Sequence, residues 1–553
     1  MGLARVVATR RLHTRSFADY VVVGAGTAGC SVARRLSDSG AEVVLLEAGR
    51  HLSAKDDAAM HDMVHDPMQY GDGLHTDVDW QYYSTKQPQL ADRKIYLPRG
   101  RAIGGTGVLN GMAFVKPPLA DMDEWAAAGC AGWDGANMQS YLSSSECATN
   151  FEAQGLDREE IVANGHGLDG PQSISWGDPD RASPISHAFI AGCVEVGQKI
   201  ARDYNSPICE HGVGRLQFYQ RDGSRAHSGR EFIDGSTVHI KPQSYVTKLS
   251  LSAGHFGGGV RCTGVEYIDA DGQQNRIDAG TRVILAAGSF ASPALLMRSG
   301  IGDSTHLATH GITTLMDLPG VGQNLQDHIW CPVSTLSSVP LPKEEYENHV
   351  ETHLLTASSL ANGRRDIQIM QCCIMSGEAA FAAGAGVPGF VLVPTVLYPK
   401  SKGSVTLTSS NVFDAPTINP NFLTDPEGHD LQVLSEVVDL ARSITRTDAM
   451  SSVVRSELSP ANIPWAPGGI EARSPEMEHF LRGAADTLYH PIGTCKMGVD
   501  KMAVVDPASL GVYGVDGLSI ADASVIPMIV GANTNAAAAM VGEKAADLLL
   551  QQV

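Results

Sequence analysis

The sequence predicts an α/β (α+β) protein in which two domains interleave along the chain, and three observations point there. A strand–turn–helix–strand unit opens the chain, a second strand–helix pair begins near residue 282, and no linker separates the halves. The 553 residues suffice for about two to four domains with large cores. With such pieces toward both ends and no internal repeat, the domains share the chain rather than follow one another.

Tyr20–Val23 is a short β-branched run, followed by Gly24-Ala25-Gly26-Thr27-Ala28-Gly29 and an amphipathic stretch to Leu36. The apolar run Glu42–Leu46 ends on Glu47 and completes a βαβ pattern. Ile95–Arg101 leads into a second glycine-rich loop, Gly104-Gly105-Thr106-Gly107, and the chain from Ala153 to about Arg225 is polar with weak periodicity. Ser244–Leu251 and Gly264–Ala270 read as strands around the flexible Gly257-Gly258-Gly259. Arg282–Ala287 is a buried strand running into Gly288-Ser289, with Pro293 marking a helix start and Ser299-Gly300 its stop. Further strands are expected at Asp366–Met370, Phe390–Leu397 and Gly403–Leu407, and helices at Leu431–Ile444, Pro475–Leu481 and Asn535–Gln551.

Composition narrows the function. Apolar residues make up 43% and charged residues 18%, which excludes disorder and collagen-like repeats. Lys+Arg 41 against Asp+Glu 61 gives a net charge of −20, and an acidic chain without a long basic run is a poor binder of phosphate backbones. Nucleic acid is therefore not an expected partner. None of the ten cysteines forms a C-x-x-C pair or a zinc-like cluster, so no metal is expected and the thiols read as buried in a reducing compartment. The uncharged stretch Ala379–Pro399 is broken by Pro388, Pro394, Gly384, Gly386 and Gly389, so it reads as loops and core strand rather than a membrane span. It leaves room for a hydrophobic entrance loop and peripheral membrane contact. Met1–Phe17 carries Arg5, Arg10, Arg11 and Arg15 and no acid, the composition of a transit peptide, with a processing site expected at Arg15-Ser16-Phe17-Ala18. The address so expected is mitochondrial, with plastid or cytoplasm as alternatives.

Five motifs carry chemistry. In Gly24-x-Gly26-x-x-Gly29 the glycines allow a tight turn, close approach to a pyrophosphate, and close strand–helix packing. The helix that follows offers N–H donors and its positive end to phosphates, and Glu47, 18 residues after Gly29, suits a ribose hydroxyl. The turn alone does not separate NAD from FAD. The second motif, Gly100–Asn110, presents small residues whose N–H groups can wrap a pyrophosphate or a ring edge. The third is Ala286–Pro293 ending at Gly300-Ile301-Gly302, the fourth Tyr489–Gly498 around His490, and the fifth Ala521–Ser524 through Asn533-Thr534-Asn535.

Together these motifs resemble the glucose–methanol–choline (GMC) family of FAD oxidoreductases, as does Gly320-Val321-Gly322-Gln323-Asn324-Leu325-Gln326-Asp327-His328. The likeness runs from Asp19 to about Leu549. It implies a Rossmann-like FAD-binding domain (18–155, 225–325 and 485–553) interleaved with a substrate-binding domain on an antiparallel β-sheet (156–224 and 326–484). It implies that Glu47 binds the adenosine ribose, the Val246 backbone meets the adenine, and Asp522 lies by the pyrophosphate–ribityl region. Asn110 and Gly105 should face the flavin. The other cofactor positions implied are Gly24, Gly26, Thr27, Ala28, Gly29, Ala48, Arg101, Gly104, Thr106, Gly111, Ala287, Gly288, Ala523, Asn533 and Thr534.

His490 matches the family's active-site histidine. An alcohol donates hydride poorly until its hydroxyl proton leaves, and a neutral imidazole can take that proton. Asn533 matches a second catalytic position, where its amide can stabilise alkoxide character; as a helix cap it has a structural role as well. Leu109 stands where some choline-oxidising relatives carry the histidine that bonds FAD, so non-covalent FAD is expected. His490 and Leu397 both argue against a light-driven fatty-acid decarboxylase. The resemblance thus implies FAD-dependent oxidation of a primary alcohol, choline-like or other aliphatic or aromatic, by a choline-dehydrogenase-like enzyme. Electrons would pass to a quinone-like carrier or O2. The alternatives are a flavin-containing lyase or light-driven fatty-acid decarboxylase of the same family and, behind these, a non-catalytic flavin-binding protein.

Overall fold

The computed structural model describes residues 15–552, apart from 56, 70, 210, 254–258, 342–347, 362, 375–386, 461–462 and 466–473. Two eight-stranded sheets organise the chain, one mixed and one antiparallel. The mixed sheet has Arg15–Val23 at its centre, parallel to Val43–Leu46 on one side and to Gln274–Leu285 on the other. His239–Lys241 extends it in parallel at one edge; Val260–Ile268 and Tyr245–Ala253 extend it antiparallel at the other. Leu518–Ile520, from the far end of the sequence, adds a parallel strand beside Leu285. Val21, Val22, Leu45 and Ile284 are buried there. Strands covered on both faces need continuous apolar runs, and these four supply them.

The helices on this sheet bring the two ends of the chain together. Helix Thr27–Asp38 packs on the last helix, Thr534–Leu550, at Gly542, where an added Cβ would stand 2.6 Å from the Ala28 carbonyl oxygen. Ser31 Oγ donates to Glu543 Oε1 at 2.9 Å and Arg35 pairs with the same carboxylate. Both N-termini therefore point the same way, and Thr27 Oγ1 donates to Asn535 Oδ1 at 2.6 Å.

Strand–helix Gln274–Leu285/Gly288–Arg298 forms, but Pro293 lies inside the helix rather than at its start. The proline removes the N–H that would bond the Ser289 carbonyl, and Thr494 Oγ1 donates to that carbonyl instead, at 2.6 Å. Ser289 Oγ in turn donates to the Pro491 carbonyl. A missing helix bond thus fastens the segment that carries His490.

The second sheet runs Val454–Ser459, Val333–Ser337, Gly389–Val396, Ile367–Cys372, Val350–Thr356, Gly212–Arg215, with every pairing antiparallel. Val350–Thr356 escapes the sequence pattern because its polar residues are buried. Glu351 accepts the Ser183 N–H at 2.8 Å, and Thr352 Oγ1 donates to Gln371 Oε1. Ile329–Trp330 bridges Val396 and Thr487 and so connects this sheet to the segment before His490.

The N-terminal expectation changes. Residues 1–14 lie outside the described residues, while Arg15, Ser16 and Phe17 pair with Arg276, Ile277 and Asp278 inside the mixed sheet. The residues expected to mark a processing site thus extend the central strand of that sheet. Gly257-Gly258 and the first part of Ala379–Pro399, with the expected entrance loop, also lie outside the described residues.

Candidate active site

A cavity of about 650 Å³ opens between the two sheets, within the usual range for a cofactor-and-ligand site. Its walls include Gly24, Gly26, Thr27, Ala28, Glu47, Ala48, Gly105, Thr106, Asn110, Gly111, Val246, Ala287, Gly288, Asp522, Ala523, Asn533 and Thr534, together with His490. Gly29, Arg101 and Gly104 stand behind the wall. A Cβ on Gly29 would fall 2.0 Å from the Gly24 carbonyl oxygen, and the Gly104 N–H donates to the Ala25 carbonyl at 2.7 Å. The Arg101 guanidinium lies 5.0 Å over the Trp80 ring.

At one end the Gly24–Gly29 turn, Glu47 and the second glycine loop meet. The Glu47 carboxylate accepts Ala25 N–H at 2.9 Å and Gly49 N–H at 2.8 Å, which aims its remaining lone pairs at the cavity. Burial pushes its carboxyl up; the Gly49 and Ala25 N–H groups and Arg101 pull against that. The N-termini of the first and last helices converge here, so two positive helix ends face one space. Added Cβ atoms on Gly26, Gly111 and Gly288 would each meet nothing within 4 Å. Bare backbone on three separate loops, with two helix ends and a buried carboxylate, fits the pyrophosphate and ribose of a dinucleotide. Asp522 ties this end to the next strand, accepting Gly288 N–H, Ser292 Oγ and Ser524 N–H at 2.6–2.8 Å.

At the other end stand His490 and Asn533, with Asn533 Nδ2 3.4 Å from His490 Nε2. Asn533 Oδ1 is buried with no partner among the described residues, an unmet acceptor facing the cavity. Burial holds the His490 ring well below the usual imidazole range, with nearby His328 and Arg99 adding to the effect. The ring is therefore neutral at neutral pH.

Several residues that sequence reasoning passed over complete this end. His328 Nδ1 lies 2.8 Å from His490 Nδ1, and Asp327 Oδ1 accepts the His490 N–H at 2.8 Å. Both sit in the motif Gly320–His328, so the adjacent acid and histidine were the available signal. Arg99 donates to the Tyr489 carbonyl at 2.5 Å, holding a residue at φ 66°. Arg225, fully buried, donates to the carbonyls of Val64, Gly107 and Asn110 and to Asn110 Oδ1. Nothing in the sequence around Arg225 marks it.

A dinucleotide-binding turn sharing one cavity with a neutral, buried histidine defines a nucleotide-cofactor oxidoreductase. Family models for the N- and C-terminal parts of GMC oxidoreductases match residues 18–330 and 399–542. The chain belongs to the GMC oxidoreductases, FAD-dependent enzymes that act on alcohols. Choline oxidase of Arthrobacter globiformis is 34% identical, covering 97% of this chain and 95% of that protein. Alcohol dehydrogenase [acceptor] of Pseudomonas putida is 31% identical over 97% of this chain and 96% of its own. Among solved structures, pyridoxine 4-oxidase from Mesorbium loti superposes with a TM-score of 0.84 at 28% identity, covering 96% of this chain and 98% of the other.

These relatives correct one expectation. Curated relatives come from Mycobacterium, Arthrobacter, Pseudomonas and Brucella, all bacteria, which overturns the mitochondrial address and the transit-peptide reading of residues 1–17. A short basic, serine-containing stretch has too little chemistry in it to specify an organelle. No described helix is long and apolar enough to cross a membrane.

Proposed function

We propose that this enzyme oxidises an uncharged primary alcohol to its aldehyde, with FAD held non-covalently. Bound FAD supplies the acceptor for the hydride that leaves the alcohol's α-carbon. The Gly24–Gly29 turn, the converging helix ends and Glu47 would hold its pyrophosphate and ribose; Gly105, Thr106 and Asn110 would hold the ring. Leu109 lines the cavity and offers no atom for a covalent bond to the flavin.

The observation that carries the chemistry is the neutral His490 ring with Nε2 beside Asn533 inside the cavity. His490 Nε2 takes the hydroxyl proton. The Asn533 amide donates to the alcohol oxygen as charge grows there, and that charge drives the hydride off carbon. Helix Thr534–Leu550 starts at the residue after Asn533 and is tied to Thr27 through Asn535, so its positive end lies between the two ends of the cavity and also favours negative charge beside His490.

The walls from the antiparallel sheet support an uncharged substrate. Trp330, Val350, Met370, Cys372, Val391 and Val393 line this side. They favour apolar substrate surface by about 25 cal/mol per Å² buried. The relatives' names divide between an oxidase and an acceptor-linked dehydrogenase; oxygen uptake during turnover distinguishes O2 from a quinone-like carrier.

The deciding experiment is an anaerobic screen of flavin bleaching with choline and with aliphatic and aromatic primary alcohols. Bleaching by an uncharged alcohol is expected, slowed about 10²–10⁴-fold by His490→Ala. Flavin that stays oxidised with every alcohol would overturn the proposal and leave a lyase. Unimpaired bleaching in His490→Ala would remove the base assigned here.

A further inference from the structure

We propose that His328 is a positioning residue that fixes the tautomer of His490, leaving Nε2 as its basic atom. The inference rests on the reading of His490 as the proton acceptor.

The hydrogen-bond bookkeeping admits one arrangement. His328 is fully buried, and its Nε2 lies 2.9 Å from the Leu397 carbonyl and 3.0 Å from the Val530 carbonyl. A carbonyl oxygen only accepts, so Nε2 carries a hydrogen and donates to both. Burial holds the ring down at about 4, with the two carbonyls pulling upward, so at neutral pH there is no second ring hydrogen. His328 Nδ1 is then a bare lone pair. It faces His490 Nδ1 at 2.8 Å, and two lone pairs do not meet at that distance. His490 Nδ1 must carry the hydrogen and donate it to His328. His490 is neutral too, so its Nε2 is bare, on the side where Asn533 Nδ2 stands.

This does for an imidazole what a buried carboxylate does in a catalytic triad, without a negative charge. When His490 Nε2 takes a proton, Nδ1–H still donates to His328, whose own hydrogen remains shared by two carbonyls. The charged groups facing the pair are Arg99 and Asp327; Asp327 bonds the His490 backbone N–H rather than its ring. Among the described residues the ring therefore meets His328 at Nδ1 and, at 3.4 Å, the Asn533 amide nitrogen at Nε2; as an N–H donor that amide suits the same bare Nε2, and the shorter contact at 2.8 Å is the one to His328.

Two substitutions separate tautomer control from simple bracing. Asn at 328 places its carbonyl oxygen where Nδ1 stood and can still accept from His490, while losing the donor to Leu397 and Val530. Gln at 328 places its amide nitrogen where Nε2 stood and keeps that donor, while losing the acceptor. In anaerobic flavin reduction by the best alcohol, His328→Leu and His328→Gln should slow the step about 100-fold, and His328→Asn by less than about 10-fold. Histidine-selective ¹⁵N NMR of the FAD-loaded full chain, with the His490 signal assigned by its loss in His490→Ala, should show Nδ1 protonated in wild type and His328→Asn. The Leu and Gln variants should show the hydrogen moving to Nε2. Retained rate in Gln with loss in Asn would mean that His328 only braces the two carbonyls, and the proposal fails. An Nε2-protonated His490 in wild type also overturns it. If His490→Ala reduces flavin normally, the reading of His490 falls, while the NMR still decides the tautomer on its own. Should Leu fail to fold, the Asn and Gln variants carry the test.

Discussion

The carboxylate of Asp121 accepts the backbone N–H of Gly531 at 2.7 Å, two residues ahead of Asn533. A buried acid on helix Leu119–Ala127 thus anchors the loop that delivers the amide to the cavity. The same carboxylate accepts from the Tyr398 hydroxyl at 2.9 Å and pairs with Arg364, whose guanidinium lies over the Tyr398 ring. Tyr398 fits closely, since a Cβ on Gly531 would stand 2.0 Å from its hydroxyl oxygen.

Removing this anchor should cost stability and rate together. Asp121→Ala leaves the Tyr398 hydroxyl without its acceptor, leaves Arg364 paired with Glu124 alone and frees the Gly531 N–H. Arg364 is partly solvated, so the expected loss is about 2 kcal/mol rather than the full penalty of a buried orphan charge. A lower unfolding temperature, with flavin reduction about tenfold slower, is the expected pair of results. Unchanged reduction in a folded Asp121→Ala enzyme would show that Asn533 needs no such anchor.

Two glycines of the same turn, Gly26 and Gly29, make a second test. A Cβ on Gly29 would strike the Gly24 carbonyl oxygen at 2.0 Å, whereas one on Gly26 meets nothing within 4 Å. Gly29→Ala should lose several kcal/mol through backbone collision and yield little folded protein. Gly26→Ala should keep the unfolding temperature of the cofactor-free protein but bind FAD at least tenfold more weakly, because its methyl enters the space for the pyrophosphate. Thermal unfolding and an FAD titration separate the two; equal losses of stability would contradict this division.

The contrast also shows what a sequence can display. Gly24, Gly26, Gly29 and Glu47 belong to one local unit whose spacing carries its own geometry, so the turn was legible, as was the family likeness. His490 and Asn533 were visible through that likeness alone. Asp121, Arg225 and His328 take partners 69 to 410 positions away, and no local period or spacing encodes such contacts. Strand Val350–Thr356 was missed for a related reason: its burial includes Glu351, Thr352 and His353, whose partners hide their polarity from water. Pro293 misled in the opposite direction, because Thr494 supplies from a distance the donor that the proline removes.

Arg225 offers a third prediction. Its guanidinium reaches carbonyls on two separated segments, Val64 at 2.7 Å and Gly107 and Asn110 at 3.1 and 2.6 Å, and Asn110 Oδ1 at 2.8 Å. A planar fork can do this; a lysine ammonium at the end of a flexible stem cannot reach both sides. Arg225→Lys should therefore loosen the Gly107–Asn110 loop, weakening FAD binding about tenfold and lowering the unfolding temperature. Wild-type FAD affinity in Arg225→Lys would show that the loop holds its shape unaided.

Asp327 supplies the pH dependence. Burial raises its carboxyl to about 6, against the pull of Thr487, Arg99 and the His490 and His328 N–H groups. Since the folded value lies above the unfolded one, the folded chain holds more protons between about pH 4 and 6, and stability falls as pH rises through that window. The difference corresponds to about 3 kcal/mol, present at low pH and lost above about 6. Rate moves the other way. Below about pH 6 the proton turns one oxygen into a donor and disrupts the bonds that Asp327 accepts from His490 N–H and Thr487 Oγ1. Flavin reduction should decline with an acid limb near 6, which His490 cannot produce because its own proton binds well below that. Asp327→Asn keeps an acceptor for the His490 N–H and has nothing to titrate. It should lose the limb and flatten the stability slope between pH 4 and 6, both measured against wild type. A limb near 6 that survives Asp327→Asn would assign it to another group.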